Sequence, residues 1–160
     1  MRETIKLLFV CTGNICRSPL AHRLFEHLIR EKGLDTSFEI ESAGTNAQWH
    51  EGENADPRMR KVARAHGLVL DHYARQLRIS DFQYYDYILA MAHDHMHHMQ
   101  RLVATENETK ALIELFRDYD PQENGDVPDP YYDGVEGFEK VYVIVERTCQ
   151  QLLQNLYKKF

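Results

Sequence analysis

Cys11 and Arg17 stand six residues apart in the segment Cys11-Thr12-Gly13-Asn14-Ile15-Cys16-Arg17-Ser18-Pro19. The apolar run Ile5-Lys6-Leu7-Leu8-Phe9-Val10 leads into it, and a helical pattern leads out. A loop between a strand and a helix can curl so that its backbone N–H groups converge. Together with the positive end of the helix, those groups form a cradle for a dianion. Gly13 is the residue expected to take the backbone angle that side chains resist. Arg17 adds a planar fork that holds two phosphate oxygens at once, which lysine does less well. The same positive field favours a thiolate at Cys11, the nucleophilic form of a cysteine. Ser18 can donate a hydrogen bond to that sulfur and help it leave later. A cysteine and an arginine at this spacing recur by chance; the strand before and the proline-led helix after turn the pattern toward phosphoryl chemistry.

Attack on a phosphate ester also needs a proton for the leaving oxygen. The candidate donor is Asp129, in Asp126-Val127-Pro128-Asp129-Pro130-Tyr131-Tyr132-Asp133. Prolines on both sides stiffen this loop and aim the acid. Tyr131 and Tyr132 offer an aromatic wall for a phenyl ring. Taken alone, the stretch reads more readily as a surface turn rich in Asp and Pro.

These residues need a frame to hold them. Residues 5–10 read as a buried strand. Pro19 suits the first turn of a helix whose apolar face is Leu20, Leu24, Phe25, Leu28 and Ile29, with Gly33 as its stop. A second strand is expected at Phe38-Glu39-Ile40-Glu41, followed by a turn at Ser42-Ala43-Gly44-Thr45 and a polar loop over 46–55. Asp56-Pro57 opens another helix, closed by Gly67. Tyr87 to Met91 and Ala111 to Phe116 are the third and fourth strands, with a helix over 93–102 between them. Residues 118–134 form a loop. Phe138, Val141, Tyr142, Val145, Cys149, Leu152, Leu153 and Leu156 define a long final amphipathic helix. Strands alternating with helices predict an α/β fold, a parallel sheet covered on both faces, with its site at the carboxyl ends of the strands. No boundary divides residues 1–160, so one domain is expected.

Bulk properties narrow the function. The chain has 160 residues, 43% of them apolar and 28% charged, as in an ordinary globular domain. A net charge of −6 with scattered Lys and Arg argues against nucleic acid as a partner. No apolar run is long enough to span a bilayer, and the N-terminus lacks the features of a signal peptide. A cytoplasmic monomer is expected, with export by a route needing no such peptide left open. Three cysteines, two in one loop, suggest chemistry more than stapling.

From about Ile5 to Leu156 the chain resembles the low-molecular-weight protein tyrosine phosphatases. Val10 to Pro19 is the most specific segment, and Asp129-Pro130-Tyr131-Tyr132 the next. Ser42-Ala43-Gly44-Thr45, Ala55-Asp56-Pro57-Arg58 and His72-Tyr73-Ala74-Arg75-Gln76 follow in the family's order. The resemblance implies a four-stranded parallel sheet flanked by helices and a protein phosphotyrosine substrate. It implies a phosphocysteine intermediate on Cys11, Arg17 as phosphate clamp, and Asp129 as acid and then base. No metal or other cofactor is implied. Phosphate or another oxyanion would sit against Thr12, Gly13, Asn14, Ile15, Cys16 and Ser18. Asn14, Ser42 and His72 would hold the loop in shape; without the resemblance, His72 reads as a surface loop residue. Trp49, His50, Tyr131 and Tyr132 would line the rim. Cys16 stands where the family has a second loop cysteine, which suggests a protective Cys11–Cys16 disulfide under peroxide. Ala92 and His95 depart from the family's Asp and Asn, which bears on local packing more than on catalysis.

Three other readings compete. A phosphoarginine branch of the fold shares Thr12 but carries threonine in place of Ile15; isoleucine and the paired tyrosines favour a phenyl ring. Arsenate reduction on this fold uses further cysteines after the third strand, and 80–110 contains none. A silent phosphotyrosine-binding module would be expected to lack the nucleophile or the acid. His93, His95, His97 and His98 invite a metal, although a solvated helix face is the plainer expectation.

Overall fold

The computed structural model describes residues 4–105 and 109–159. Four strands form a parallel sheet in the order β2-β1-β3-β4: β1 is Ile5–Cys11, β2 Phe38–Gly44, β3 Tyr87–Ala90 and β4 Leu112–Leu115. The helices are α1 Arg17–Glu31, α2 Pro57–Ala65, α3 Asp81–Tyr84, α4 His93–Ala104 and α5 Val135–Tyr157, with 3₁₀ turns at Gln48–His50 and Phe116–Tyr119.

β1 is the central strand, and its alternation builds two cores. Leu7, Phe9 and Cys11 face a layer with Leu20, Phe25, Met59, Phe138 and Leu152, supplied by α1, α2 and α5. Leu8 and Val10 face the opposite layer, with Phe82 of α3 and Met99 of α4. Phe9 anchors the larger core edge-on to Phe116, with ring centroids 5.7 Å apart. The chain leaves β1 toward β2 on one side and later returns to β3 on the other. The carboxyl end of β1 is therefore the switch point of the sheet, where such folds open a crevice. The Cys11–Arg17 loop begins there.

Some elements differ from expectation. β2 continues through Ser42, Ala43 and Gly44, which read as a turn, because Ala43 and Gly44 stay in register with Val10 and Cys11. Gly44 allows the Cys11 loop to fold over the strand end: a Cβ there would lie 2.4 Å from the Thr12 carbonyl oxygen. β4 ends at Leu115 because Phe116 already belongs to a 3₁₀ turn. α3, a single turn, had no periodic signal to announce it.

Candidate active site

The loop from Cys11 to Arg17 is shaped by Asn14. Asn14, not Gly13, takes the left-handed conformation, with φ +57°, the one non-glycine positive φ among the described residues. Asn is among the few side-chain-bearing residues that tolerate this region. Its fully buried side chain ties down three segments. Nδ2 donates to Ser18 Oγ at 2.8 Å and to Ser42 Oγ at 3.0 Å. Oδ1 accepts from the Arg75 backbone N–H at 2.9 Å and lies 2.9 Å from His72 Nε2. A backbone N–H can only donate, so Oδ1 is an acceptor and His72 carries its proton on Nε2. His72 is buried, and burial, helped by His22, pushes its imidazole down to about 4. It acts as a neutral donor, not the surface residue that the sequence alone suggested. Gly13 has a different use: a Cβ there would lie 3.2 Å from the His50 ring, a tight approach that glycine avoids.

Cys11 Sγ lies 2.9 Å from Ser18 Oγ. Because Asn14 already donates to Ser18 Oγ, the serine hydroxyl hydrogen can point at the sulfur, which is nearer than its other acceptor, the Ala43 carbonyl oxygen at 3.5 Å. Arg17 is 6% exposed, donates from Nη1 to the Val127 carbonyl at 3.1 Å, and places Nη2 3.8 Å from Asp129 Oδ2. The helix α1 that follows has no side-chain cap, so its first-turn amides are not occupied by one. Cys16 is buried, and its thiol is pushed well up by burial, then by Cys11, Asp56 and Asp129. It is a poor thiolate beside a potential nucleophile.

A cleft of about 230 Å³ opens above Cys11. Its floor is Cys11, Thr12, Gly13, Ile15, Cys16 and Arg17; Asn46 and His50 form one wall, and Asp129, Tyr131 and Tyr132 the other. Four of the sequence-predicted residues support the cleft from behind: Asn14, Ser18, Ser42 and His72. Trp49 is 87% exposed and does not line the cleft. A more open hollow of about 540 Å³, between β2 and α3, holds no cysteine or histidine.

Residues 6–160 match the family described as low molecular weight phosphotyrosine protein phosphatase. The chain belongs to that family. A low molecular weight protein-tyrosine-phosphatase of Streptomyces coelicolor is 46% identical over 153 residues, 94% of this chain and 92% of that protein. A protein tyrosine phosphatase from Entamoeba histolytica, crystallised with Hepes in its active site, superposes with a TM-score of 0.89 at 38% identity, covering 98% and 99% of the two chains. A Drosophila arginine phosphatase superposes with a TM-score of 0.88 at 30% identity, covering 95% and 98%.

Several supports of this low molecular weight phosphatase site were not read as such from sequence. Arg58, paired with Asp56 at 2.8 Å, donates to the Tyr131 carbonyl at 2.8 Å and lies over the Tyr131 and Phe138 rings. Arg117 donates to the Asp126 carbonyl at 2.8 Å and pairs with buried Asp120, which Arg147 of α5 grips through both carboxylate oxygens at 2.8 Å. This network anchors the loop that carries Asp129. Asn46 also joins the wall. Only tertiary contact gives these residues their places.

The four histidines of α4 do not behave alike. His93 Nδ1 pairs with Asp126 at 2.6 Å, while His95 is buried rather than solvated. Among the described residues, no group of three or more His, Cys, Asp or Glu side chains is placed to hold a metal ion. Cys149 sits in the core on α5, as its spacing suggested. No helix among the described residues is long and apolar enough to cross a membrane.

Proposed function

We propose that this phosphatase hydrolyses protein phosphotyrosine in two displacements at Cys11. In the first, the Cys11 thiolate attacks phosphorus and the bond to the phenolic oxygen breaks. Asp129 gives its proton to that oxygen, and Arg17 with the loop amides holds the non-bridging oxygens. In the second, the Asp129 carboxylate takes a proton from water, the water oxygen attacks phosphorus, and the S–P bond breaks. Ser18 donates to the departing sulfur. One observation carries the reading: Cys11 lies on the floor of a cleft whose wall brings Asp129 to 3.8 Å from Arg17. Ile15, Tyr131 and Tyr132 around the same cleft suit a phenyl ring. The three unpaired cysteines are in keeping with a reducing, cytoplasmic setting.

Phosphoarginine is the second reading, favoured by polar Thr12 on the cleft floor and by the likeness to the Drosophila enzyme. Matched phosphotyrosine and phosphoarginine peptides separate the two. The wild type is expected to prefer phosphotyrosine. Asp129→Asn is expected to lower its turnover by about 10²- to 10⁴-fold. In the pre-steady-state burst, which precedes the shared hydrolysis step, it is expected to slow release of p-nitrophenol from p-nitrophenyl phosphate much less than release of the peptide phenol, since p-nitrophenolate leaves readily without a proton. A preference for phosphoarginine overturns the substrate assignment; equal loss in the burst phase of both esters overturns the role of Asp129 as acid.

A further inference from the structure

His95, in the first turn of α4, is 3% exposed. Its Nε2 lies 2.8 Å from Oγ1 of Thr12, the residue directly after Cys11. Its Nδ1 is buried without a protein partner, and among the described residues it is the one buried side-chain nitrogen or oxygen in that position. The ring's protonation follows from its surroundings. Burial, then the charge of Arg17, pushes His95 down to about 4, and Asp94, Asp126 and Asp129 do not offset this. At neutral pH the imidazole therefore carries one N–H. A buried N–H without an acceptor is rarer in proteins than a buried acceptor without a donor. The hydrogen thus belongs on Nε2, the nitrogen with a partner. His95 donates and Thr12 Oγ1 accepts, so the Thr12 hydroxyl hydrogen cannot point back at His95. Thr12 is exposed and lines the cleft.

We infer that His95 is a positioning residue: its hydrogen bond to Thr12 turns the Thr12 hydroxyl hydrogen into the cleft, where it donates to an oxygen of the bound phosphate ester. The inference rests on the phosphate-binding role proposed above for the Cys11 loop. No proton is transferred; the site gains one oriented donor beside the nucleophile. The same arrangement gives a buried histidine at this position a purpose that packing alone would not require. Thr12 and His95 are then two parts of one device, and neither has the full effect without the other.

Inorganic phosphate as a competitive inhibitor and a phosphotyrosine peptide as substrate test this. Thr12→Val keeps the side-chain shape and removes the hydroxyl. It is expected to weaken phosphate binding and lower kcat/KM by about 10- to 100-fold, the size of one hydrogen bond to a charged partner. His95→Ala should act in the same direction. His95→Gln, whose amide can donate from a similar position, should restore most of the loss. His95→Ala combined with Thr12→Val should be no worse in phosphate affinity than Thr12→Val alone. If His95→Ala does not fold, Thr12→Val and His95→Gln still decide. Phosphate affinity unchanged by Thr12→Val, a His95→Gln enzyme as impaired as Thr12→Val, or fully additive losses would each overturn the inference while leaving Cys11 catalysis standing. A wild type that neither binds phosphate nor releases it from the peptide would overturn the underlying reading as well.

Discussion

At the scale of residues, the loop from Cys11 to Arg17 depends on one asparagine that pattern alone does not single out. Asn14→Ala forfeits a residue suited to φ +57° and leaves His72 and the Arg75 N–H without their acceptor. The backbone term is about 1–2 kcal/mol, and each buried group left unpaired adds about 1–3 kcal/mol. Urea denaturation should therefore show a loss of several times the effect of an average surface change, with kcat/KM falling in parallel; an unchanged midpoint contradicts the bracket role. Cys11 and Arg17 stand out as candidates through residue type and close spacing, whereas Asp129 lies in a distant stretch that alone reads as a surface turn, and the fold brings it to 3.8 Å from Arg17. The positive φ at Asn14 was not, because glycine is the usual candidate and Gly13 stands beside it. Nor was the burial of His72 and His95, which is decided by segments distant in sequence folding over them.

At the scale of elements, the alternation of strands and helices gave away the sheet, since fully apolar parallel strands and amphipathic helices carry opposite periodicities. The ends were less legible. β2 outruns its apolar alternation because small residues at 42–44 still pair with β1, a matter of register rather than propensity. The loop before α5 read only as proline- and aspartate-rich, and its order comes from Arg117, Asp120 and Arg147. The Asp120 side chain is fully buried between the two arginines, and hydrogen bonds from Arg147 lead the causes that hold its carboxyl well below the usual range. Removing one partner of a buried ion pair costs about 3–5 kcal/mol. Asp120→Ala should show that loss in denaturation. It should also lower kcat by about 10-fold or more as Asp129 loses its aim. Full activity in a folded Asp120→Ala variant would mean that the loop is held by other contacts.

At the scale of the whole molecule, the two buried neutral histidines couple the site to stability. His72 and His95 have folded values of about 4 against an ordinary 6.5. The unfolded chain therefore binds more protons between those limits. Their stabilising contribution is present above about pH 6.5 and is lost as pH falls toward about 4, at about 1.4 kcal/mol per pH unit for each group. Stability measured in urea across that window should fall accordingly, and His95→Gln should reduce the slope; a flat curve contradicts neutral burial. The proposed chemistry rests on a metal-independent thiolate at Cys11. Phosphate release from a phosphotyrosine peptide, in the presence of chelator, with wild type and Cys11→Ser side by side, tests it most directly. The wild type is expected to turn over and the variant is not. Equal turnover by both would remove Cys11 from the mechanism, and turnover by neither would leave a phosphotyrosine binder or an enzyme for another phosphate ester or amide.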